Sequence, residues 1–315
     1  PEWERFVRRI HDDGYQIFLT GSNASLLSSE LGTRLTGRYV TISLWPFRFD
    51  EYCNIMGISE FPQGTQAEAE VQRLCVKFME EGGFPGFLHY KDPEILHQIF
   101  EDIIYRDIIV RYGIREILPF RELCRYLYSN LTREASYQSL AKTIGVKNPM
   151  TIRSWIGYLQ DSFLISECFK FDYSLRRQHA YHKKMYGIDT GLRNTVSFRF
   201  SGDTGLLFEQ AVWMEYSSRG HELFWFKSDG ECDFLTFNQG KITTCIQACT
   251  ELTVENQERE ISGLLEAMKE TQCDNGIILT IRQYQDMIID GTKIKVRPFW
   301  KEVLSKSPLI RKSKW

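Results

Sequence analysis

The first fifty residues have the apolar spacing of an α/β segment. Apolar positions three and four apart over 3–10 predict a helix, and apolar runs at 16–20 and 39–44 predict two buried strands. The residues between these runs predict a helix at 24–31, and Pro46 ends the second strand. Because the order strand, helix, strand allows a right-handed crossover, we expect the two strands to be parallel and close together in one sheet.

Residues 51–118 have the pattern of helices without strands. Apolar positions recur every three or four residues over 68–80 and 93–112, and a break at Gly82-Gly83-Phe84-Pro85-Gly86 separates these two regions. We therefore expect an all-helical segment.

Residues 119–185 show helices followed by an alternating stretch. A short amphipathic helix is predicted over 136–144, Pro149 opens a second helix over 150–160, and the alternation over 163–171 predicts a strand pair. This succession is typical of a winged helix.

Residues 186–300 return to mixed helices and strands and precede a short basic tail at 301–315. The predicted elements are a helix at 207–219, strands at 223–226, 233–237 and 243–247, a helix at 256–270, and strands at 276–280 and 294–298. Together the four patterns predict a mixed α/β multidomain protein.

Composition narrows the class of protein. The 315 residues are enough for at least two cores, and 43% hydrophobic with 25% charged residues excludes a disordered or fibrous chain. No apolar run reaches the roughly 18 residues of a membrane span. Eight cysteines without a CxxC pair favour a reducing compartment. We expect a cytoplasmic protein without a membrane partner and, because Pro1 already lies in patterned sequence, a fragment of a longer chain.

Charge is distributed unevenly behind a net value of -2. Residues 121–185 contain 11 Lys or Arg against 5 Asp or Glu, a local balance of +6. Such an excess can neutralise phosphates, although a solvated surface has the same composition. The segment is therefore a candidate for nucleic-acid contact.

Small polar residues follow the first predicted strand. Ser22 and Asn23 lie where open α/β sheets present side chains to ligands, and either could orient a water near a γ-phosphate. Arg34 or Arg38 could stabilise the charge that develops in phosphoryl transfer. The structural alternatives are that Asn23 caps a helix and that Arg38 forms a surface ion pair.

A resemblance to a known family begins at these residues. The run TGSNASLLSSELGTRLTGRYVTISLWPFRFDEY closely resembles the strand-to-lid region of prokaryotic AAA-type ATPases that carry a C-terminal domain of unassigned function. The runs EEGGFPGFLHY, IIYRDIIVRYGI and YGIDTGLR continue the resemblance. It implies an ATPase remnant at 1–50 and a helical lid at 51–118.

The resemblance also implies roles and cofactors. Ser22 or Asn23 would be the sensor. Arg38 would be the arginine finger, with Arg34 as the second candidate for that role. ATP and Mg²⁺ are the cofactors expected of the intact protein, with self-association through the ATPase region. The phosphate loop GxxxxGK[ST], which precedes this region in the family, is absent from the sequence, so we expect this chain alone to bind ATP negligibly and not to hydrolyse it.

The second predicted helix of the winged helix suits a DNA groove. Ile152, Trp155 and Ile156 fall on one face, while basic and hydroxyl residues fall near the N-terminal end. The candidate DNA-binding residues are Lys147, Arg153, Arg133, Lys142, Arg176 and Arg177. The expected partner is duplex DNA. The alternative for this segment is a protein-docking or spacer module. The alternative for the whole protein is a DNA- or protein-docking module without catalysis.

The last segment resembles the PD-(D/E)xK nuclease fold with a damaged site. A helix carries Glu209, a strand begins near Asp233, and Gln247 lies 14 positions later. Two-metal phosphodiester chemistry needs carboxylates and a lysine, yet Gln247 is neutral and Cys249 stands at the lysine position. Glu231 could substitute as a ligand. We expect a degenerate site without metal, with a buried polar network at Glu209 and Asp233 as its structural explanation and a metal-dependent nuclease as the rival function.

Overall fold

The computed structural model describes residues 3–21, 39–197 and 204–309. These residues form a mixed α/β structure around one nine-stranded mixed sheet, which confirms the expected class. No helix within these ranges is long and apolar enough to cross a membrane.

The N-terminal segment begins with helix α1, Trp3–Asp12, as predicted. The prediction of strands at 16–20 and 39–44 is wrong, since the described residues there form no regular strand. The two stretches instead line one open groove, and their apolar side chains face solvent, with Phe18 81% and Val40 89% exposed. A strand needs backbone partners and a covered face, and the described residues provide neither here. The predicted helix at 24–31 lies outside the described residues.

The segment that follows is helical, as expected. Pro85 and Pro93 each occupy the first turn of a helix, where the missing backbone N–H costs nothing. A π-helical stretch, Ile103–Val110, continues the helix that begins at Pro93. The helices are α2, Phe49–Ile55; α3, Thr65–Glu81; α4, Pro85–Tyr90; and α5, Pro93–Asp102.

A compact block of helices and strands comes next. Ser136 caps the N-terminus of one helix and Asn148 that of the next, which confirms both predicted helices within two residues. The predicted strand pair over 163–171 is wrong, because this stretch supplies one strand and its partner comes later in the chain. The elements are α6, Ile117–Ser129; β1, Glu134–Ala135; α7, Tyr137–Ile144; α8, Pro149–Asp161; β2, Ile165–Lys170; α9, Leu175–Ala180; and β3, Lys183–Gly187.

The remaining elements form the larger part of the sheet. Each predicted helix and strand after residue 206 is present, with bounds that differ by up to three residues. The sequence pattern missed α10, β8 and α13. The elements are α10, Thr190–Val196; α11, Thr204–Ser218; β4, Glu222–Lys227; β5, Glu231–Asn238; β6, Lys241–Ala248; α12, Gln257–Thr271; β7, Gly276–Thr280; β8, Gln285–Ile289; β9, Thr292–Pro298; and α13, Phe299–Leu304.

One sheet runs through both halves of this structure. Its strand order is β1-β3-β2-β4-β5-β6-β7-β9-β8. Strand β2 pairs in parallel with β4 through Phe169 opposite Phe224 and Lys170 opposite Trp225. Position 185/186, the predicted boundary between two domains, lies inside β3. The sheet of the block is therefore continuous with the sheet of the C-terminal part.

The helices near residue 50 pack against the far end of the chain. Phe49 contacts both Phe78 and Phe299, with ring centroids 5.6 Å apart in each pair. The buried Asp50 accepts a hydrogen bond of 2.7 Å from Ser307 and lies 3.3 Å from Arg219. These contacts join α2, α3, α11 and α13 into one apolar core.

A second junction joins α3 to α10 through Asp189. This fully buried carboxylate caps α10 by accepting a 2.8 Å hydrogen bond from Leu192 N, and it accepts another of 2.6 Å from Gly83 N. The backbones approach so closely that a Cβ on Gly191 would lie 2.0 Å from Glu81 O. Glycine is required there by the contact between two backbones.

We expect Gly191→Ala to destabilise the protein by about 1–3 kcal/mol or more, because one of the two backbones must move. Gly157→Ala is the matched control, since its added Cβ would meet no atom within 4 Å beyond the adjacent backbone of its own helix, α8. Relief of a helical glycine should stabilise the control by about 0.5–1 kcal/mol. Urea unfolding measures both, and equal midpoints for the two variants would contradict the assignment.

Asp189 should also give the fold a dependence on pH. Burial raises the pKa of Asp189 to about 6, against the backbone N–H groups of Gly83, Leu192 and Gly191, which lower it. The unfolded carboxyl loses its proton near pH 3.8, so between about pH 4 and 6 the folded state binds more protons than the unfolded state. In this window the free energy of unfolding should fall with rising pH by up to about 1.4 kcal/mol per unit.

Asp189→Asn, which retains a good capping side chain, should lack this contribution. The free energy of unfolding of the wild type minus that of the variant should decrease from pH 4 to 6 and be constant above pH 7. Urea unfolding across this range measures it, and parallel curves for the two proteins would show that Asp189 does not titrate as described.

Candidate functional site: an acidic cleft beside a basic block

The structure brings the predicted nuclease-like residues together. Glu209 on α11, Asp233 on β5 and Gln247 on β6 line one cleft of about 380 Å³, with Glu231 at its edge. The order of elements that builds it is α11, β4, β5, β6, α12 and β7, with β6 and β7 parallel. The predicted ATPase residues Ser22, Asn23, Arg34 and Arg38 lie outside the described residues.

A lysine that the sequence analysis missed lies beneath this cleft. Lys184 Nζ is 3.1 Å from Glu209 Oε1, 2.7 Å from Glu231 Oε1 and 3.4 Å from Asp233 Oδ1. Its side chain is only 4% exposed. Burial lowers the pKa of Lys184, but the three carboxylates outweigh that effect and hold the pKa well above its ordinary value. The ammonium is therefore charged at neutral pH.

The carboxylates respond differently to their surroundings. Burial and then the charge of Glu209 raise the pKa of Asp233 above its ordinary value, although Lys184 and the Ala248 N–H oppose this. The pKa of Glu231 is lowered, because the ammonium groups of Lys184 and Lys227 outweigh the effect of burial. The cluster thus combines strong attraction to one cation with repulsion between neighbouring acids.

Oxygens of the clustered carboxylates also accept hydrogen bonds from neutral donors of the protein. Asp233 Oδ2 accepts 2.9 Å from Ala248 N, and Glu209 Oε1 accepts 2.7 Å from the Tyr186 hydroxyl. Burial raises the pKa of Tyr186 well above its ordinary value, so this hydroxyl stays protonated and remains a donor. Two carboxylates of the cleft are therefore held by donors of the protein itself.

Gln247 takes part in the same network as an amide. Its Oε1 accepts 3.3 Å from Asp233 N, and its Nε2 donates to Glu260 on α12. Glu260 also accepts a 2.5 Å hydrogen bond from Arg259, and both residues line the cleft. Burial raises the pKa of Cys249 to about 12, so this residue is a neutral thiol at the position where the nuclease resemblance implies a lysine.

These residues do not fit the Mg²⁺ that a nuclease fold implies. The ammonium of Lys184 already lies where three carboxylates converge, and Gln247 uses its amide within the protein. Hard divalent cations need several free oxygen ligands at short distance. Among the described residues, no group of three or more His, Cys, Asp or Glu side chains is arranged to hold a metal ion.

The predicted DNA-binding residues lie on the surface of the neighbouring block. Helix α8 buries Ile152, Trp155 and Ile156, while Arg153 and Ser154 are exposed on its other face. All six predicted basic residues are exposed, namely Lys147, Arg153, Arg133, Lys142, Arg176 and Arg177. Of these, Arg177 pairs with Asp172 at 2.9 Å. The block thus presents cations to solvent along 133–177, with Arg153 on α8 itself.

Lys183 stabilises the basic connection between β2 and β3. Its buried ammonium donates to His179 O at 2.7 Å and Tyr181 O at 2.9 Å, the carbonyls at the end of α9. Its neighbour Lys184 points to the opposite face of the sheet, as strand geometry requires. Of these two consecutive lysines, Lys183 therefore holds the connection between β2 and β3, and Lys184 pairs with the carboxylates of the cleft.

Comparison with known proteins gives the class first. Residues 1–53 match a family described as an AAA domain, and residues 72–203 match one described as a domain of unknown function (DUF8612). The N-terminal match supports an AAA-type ATPase-like class.

Two relatives extend the comparison over nearly the whole chain. An uncharacterized protein of Methanocaldococcus jannaschii is 32% identical over 320 residues, which cover 95% of this chain and 71% of that protein. An uncharacterized protein of Haemophilus influenzae is 25% identical over 301 residues, which cover 93% and 72%. The chain belongs to the family of the archaeal protein. No solved structure matches it.

Loss of the buried ammonium should be costly. We expect Lys184→Met, which keeps an unbranched side chain one atom shorter, to reduce the free energy of unfolding by about 3–5 kcal/mol, because three carboxylates lose their cation. The control Lys227→Met removes an ammonium that also pairs with Glu231 but is 44% exposed, and it should cost below about 1 kcal/mol. Urea unfolding at pH 7 compares them, and similar losses would show that burial of Lys184 is not decisive.

Proposed function

We propose that this chain is the C-terminal part of an AAA-type ATPase and that it binds duplex DNA through a winged helix formed by α6 to β3. The AAA match at residues 1–53 supports the first part. The observation that carries the second is helix α8, which is buried on one face and exposes Arg153 and Ser154 on the other. Nucleotide state would then control how the chain engages DNA.

The order of elements in the block favours this assignment. Helix α6, strand β1, helices α7 and α8 and strands β2 and β3 follow one another as in winged helices, and β1, β3 and β2 form an antiparallel sheet edge. Helix α8 has 13 residues, or about 20 Å, and the major groove of B-DNA admits a helix. In helix-turn-helix proteins, the N-terminal residues of such a helix contact base edges.

The connection between β2 and β3 would act as the wing. Arg176 and Arg177 lie on α9, whose last carbonyls are held by the buried Lys183. Phosphate contacts from such residues would add affinity and orientation without sequence choice. Lys142 and Arg133 would add further contacts at the edge of the block.

ATP and Mg²⁺ remain proposed cofactors of the intact protein. In this proposal Ser22 or Asn23 senses the γ-phosphate and Arg38 acts as the finger, at its own site or at that of a second copy. These roles rest on the resemblance and the AAA match, since the residues lie outside the described part. The chain would self-associate through this region.

Two rival functions remain in view. The block could dock a protein, in which case its basic surface would meet an acidic partner.

The C-terminal part could be a PD-(D/E)xK-like nuclease, and the lysine beside Glu209 and Asp233 is the observation that favours it. We propose a degenerate nuclease-like domain, because the amide of Gln247 and the ammonium of Lys184 are committed within the protein. Metal-dependent nicking that disappears in Asp233→Ala would support the nuclease.

The DNA proposal makes a measurable prediction. Duplex DNA should bind with an affinity that falls steeply with salt, because phosphate contacts release counterions. Lys147→Ala with Arg153→Ala should weaken binding and reduce the slope of log affinity against log salt by about 2. Fluorescence anisotropy with a labelled duplex, titrated between 50 and 200 mM salt as is typical for such slopes, measures both.

The control replaces one lysine and one arginine elsewhere on the surface. Lys241→Ala with Arg282→Ala changes the net charge equally but lies outside the block, so it should leave affinity and slope unchanged. Equal losses in the two double variants would indicate a nonspecific charge effect. Absent or salt-insensitive binding by the wild type would favour the protein-docking function.

A further inference from the structure

A cation supplied by the protein lies beneath the acidic cleft, among its carboxylates. An ammonium has three N–H donors, and Lys184 directs its Nζ toward three carboxylates from two different elements, Glu209 on α11 and Glu231 and Asp233 on β5. The point where these oxygens converge is therefore occupied by a positive charge.

The ammonium is fixed in this position. Lys184 lies within β3, with Cys168 opposite it on β2 and Glu134 opposite it on β1, so its backbone is paired on both sides. The Trp225 ring centroid lies 5.7 Å from Nζ, and the side chain is almost fully buried. A divalent cation from solvent would have to displace this buried charge from its three carboxylates.

The rest of the cleft is balanced without a metal ion as well. Glu260, which is buried, accepts hydrogen bonds from Gln247 and from Arg259. Buried carboxylates are stable when they are paired and hydrogen-bonded, and these conditions are met by side chains of the chain itself. The polar network therefore needs no further ligand to be complete.

We propose that the Lys184 ammonium permanently replaces a divalent cation in this cleft, and that the carboxylates accept such a cation only when the ammonium is removed. The proposal concerns the cleft alone and stands whether or not α8 binds DNA. It predicts that removal of Lys184 strengthens binding of a divalent metal ion. A nuclease assignment predicts the opposite, because there the wild type binds the metal and loss of the lysine impairs the site.

Titration with Mn²⁺ tests the proposal. Isothermal titration of the wild type should show no saturable binding of Mn²⁺ at this site. Lys184→Met should bind one Mn²⁺ with a dissociation constant at least ten times below the highest Mn²⁺ concentration tested on the wild type. Mn²⁺ should also raise the melting temperature of Lys184→Met and leave that of the wild type unchanged. Adding Asp233→Asn to the variant should abolish both effects, while Lys227→Met should behave as the wild type.

Two results would overturn the proposal. One is Mn²⁺ binding by the wild type as tight as by Lys184→Met, and the other is a folded Lys184→Met that binds no Mn²⁺. If Lys184→Met does not fold in the absence of Mn²⁺, recovery of the fold by Mn²⁺ supports the proposal. If it does not fold in either condition, Lys184→Met with Glu231→Gln, which buries one charge fewer, is titrated in its place and the same two results decide.

Discussion

The ion cluster at Lys184 connects parts of the chain that are far apart in sequence. Lys184 belongs to β3, Glu209 to α11 and Asp233 to β5, so the balance of one buried charge fixes the relative positions of three elements. An unpaired charge in the interior is so unfavourable that each partner constrains the others. Asp189 has a comparable effect on the helical segment, since it holds Gly83 and the start of α10 together. Apolar contacts supply the core, and these carboxylates set the orientation of its parts.

Much of the site could be predicted from local sequence, and the rest could not for a physical reason. Glu209, Asp233 and Gln247 lie at spacings that the succession helix, strand, strand makes recognisable. Lys184 contacts Glu209 across 25 residues of sequence and Asp233 across 49, and no periodicity records such contacts. A signal was nevertheless present in the adjacent Lys183 and Lys184, because two consecutive lysines in a strand must point to opposite faces.

The fold shows the same division between local and distant information. Amphipathic spacing and Pro149 were sufficient to predict α7 and α8, and the structure adds that Ser136 and Asn148 cap their first turns. The partner of β2 was misassigned, because strand pairing depends on a segment beyond a twelve-residue connection that carries its own helix. The runs at 16–20 and 39–44 have strand composition, but composition alone supplies no neighbour for the backbone to pair with.

The pairing of β2 with β4 has a mechanical consequence. Because these strands are joined by backbone hydrogen bonds, helix α8 and the acidic cleft are mounted on a single continuous sheet. Bending such a sheet between them would strain paired backbone groups, so the two surfaces should keep a constant separation. A molecule bound to α8 would then move together with the cleft as one rigid body. A mechanical force applied to that molecule would be transmitted through the sheet to the cleft.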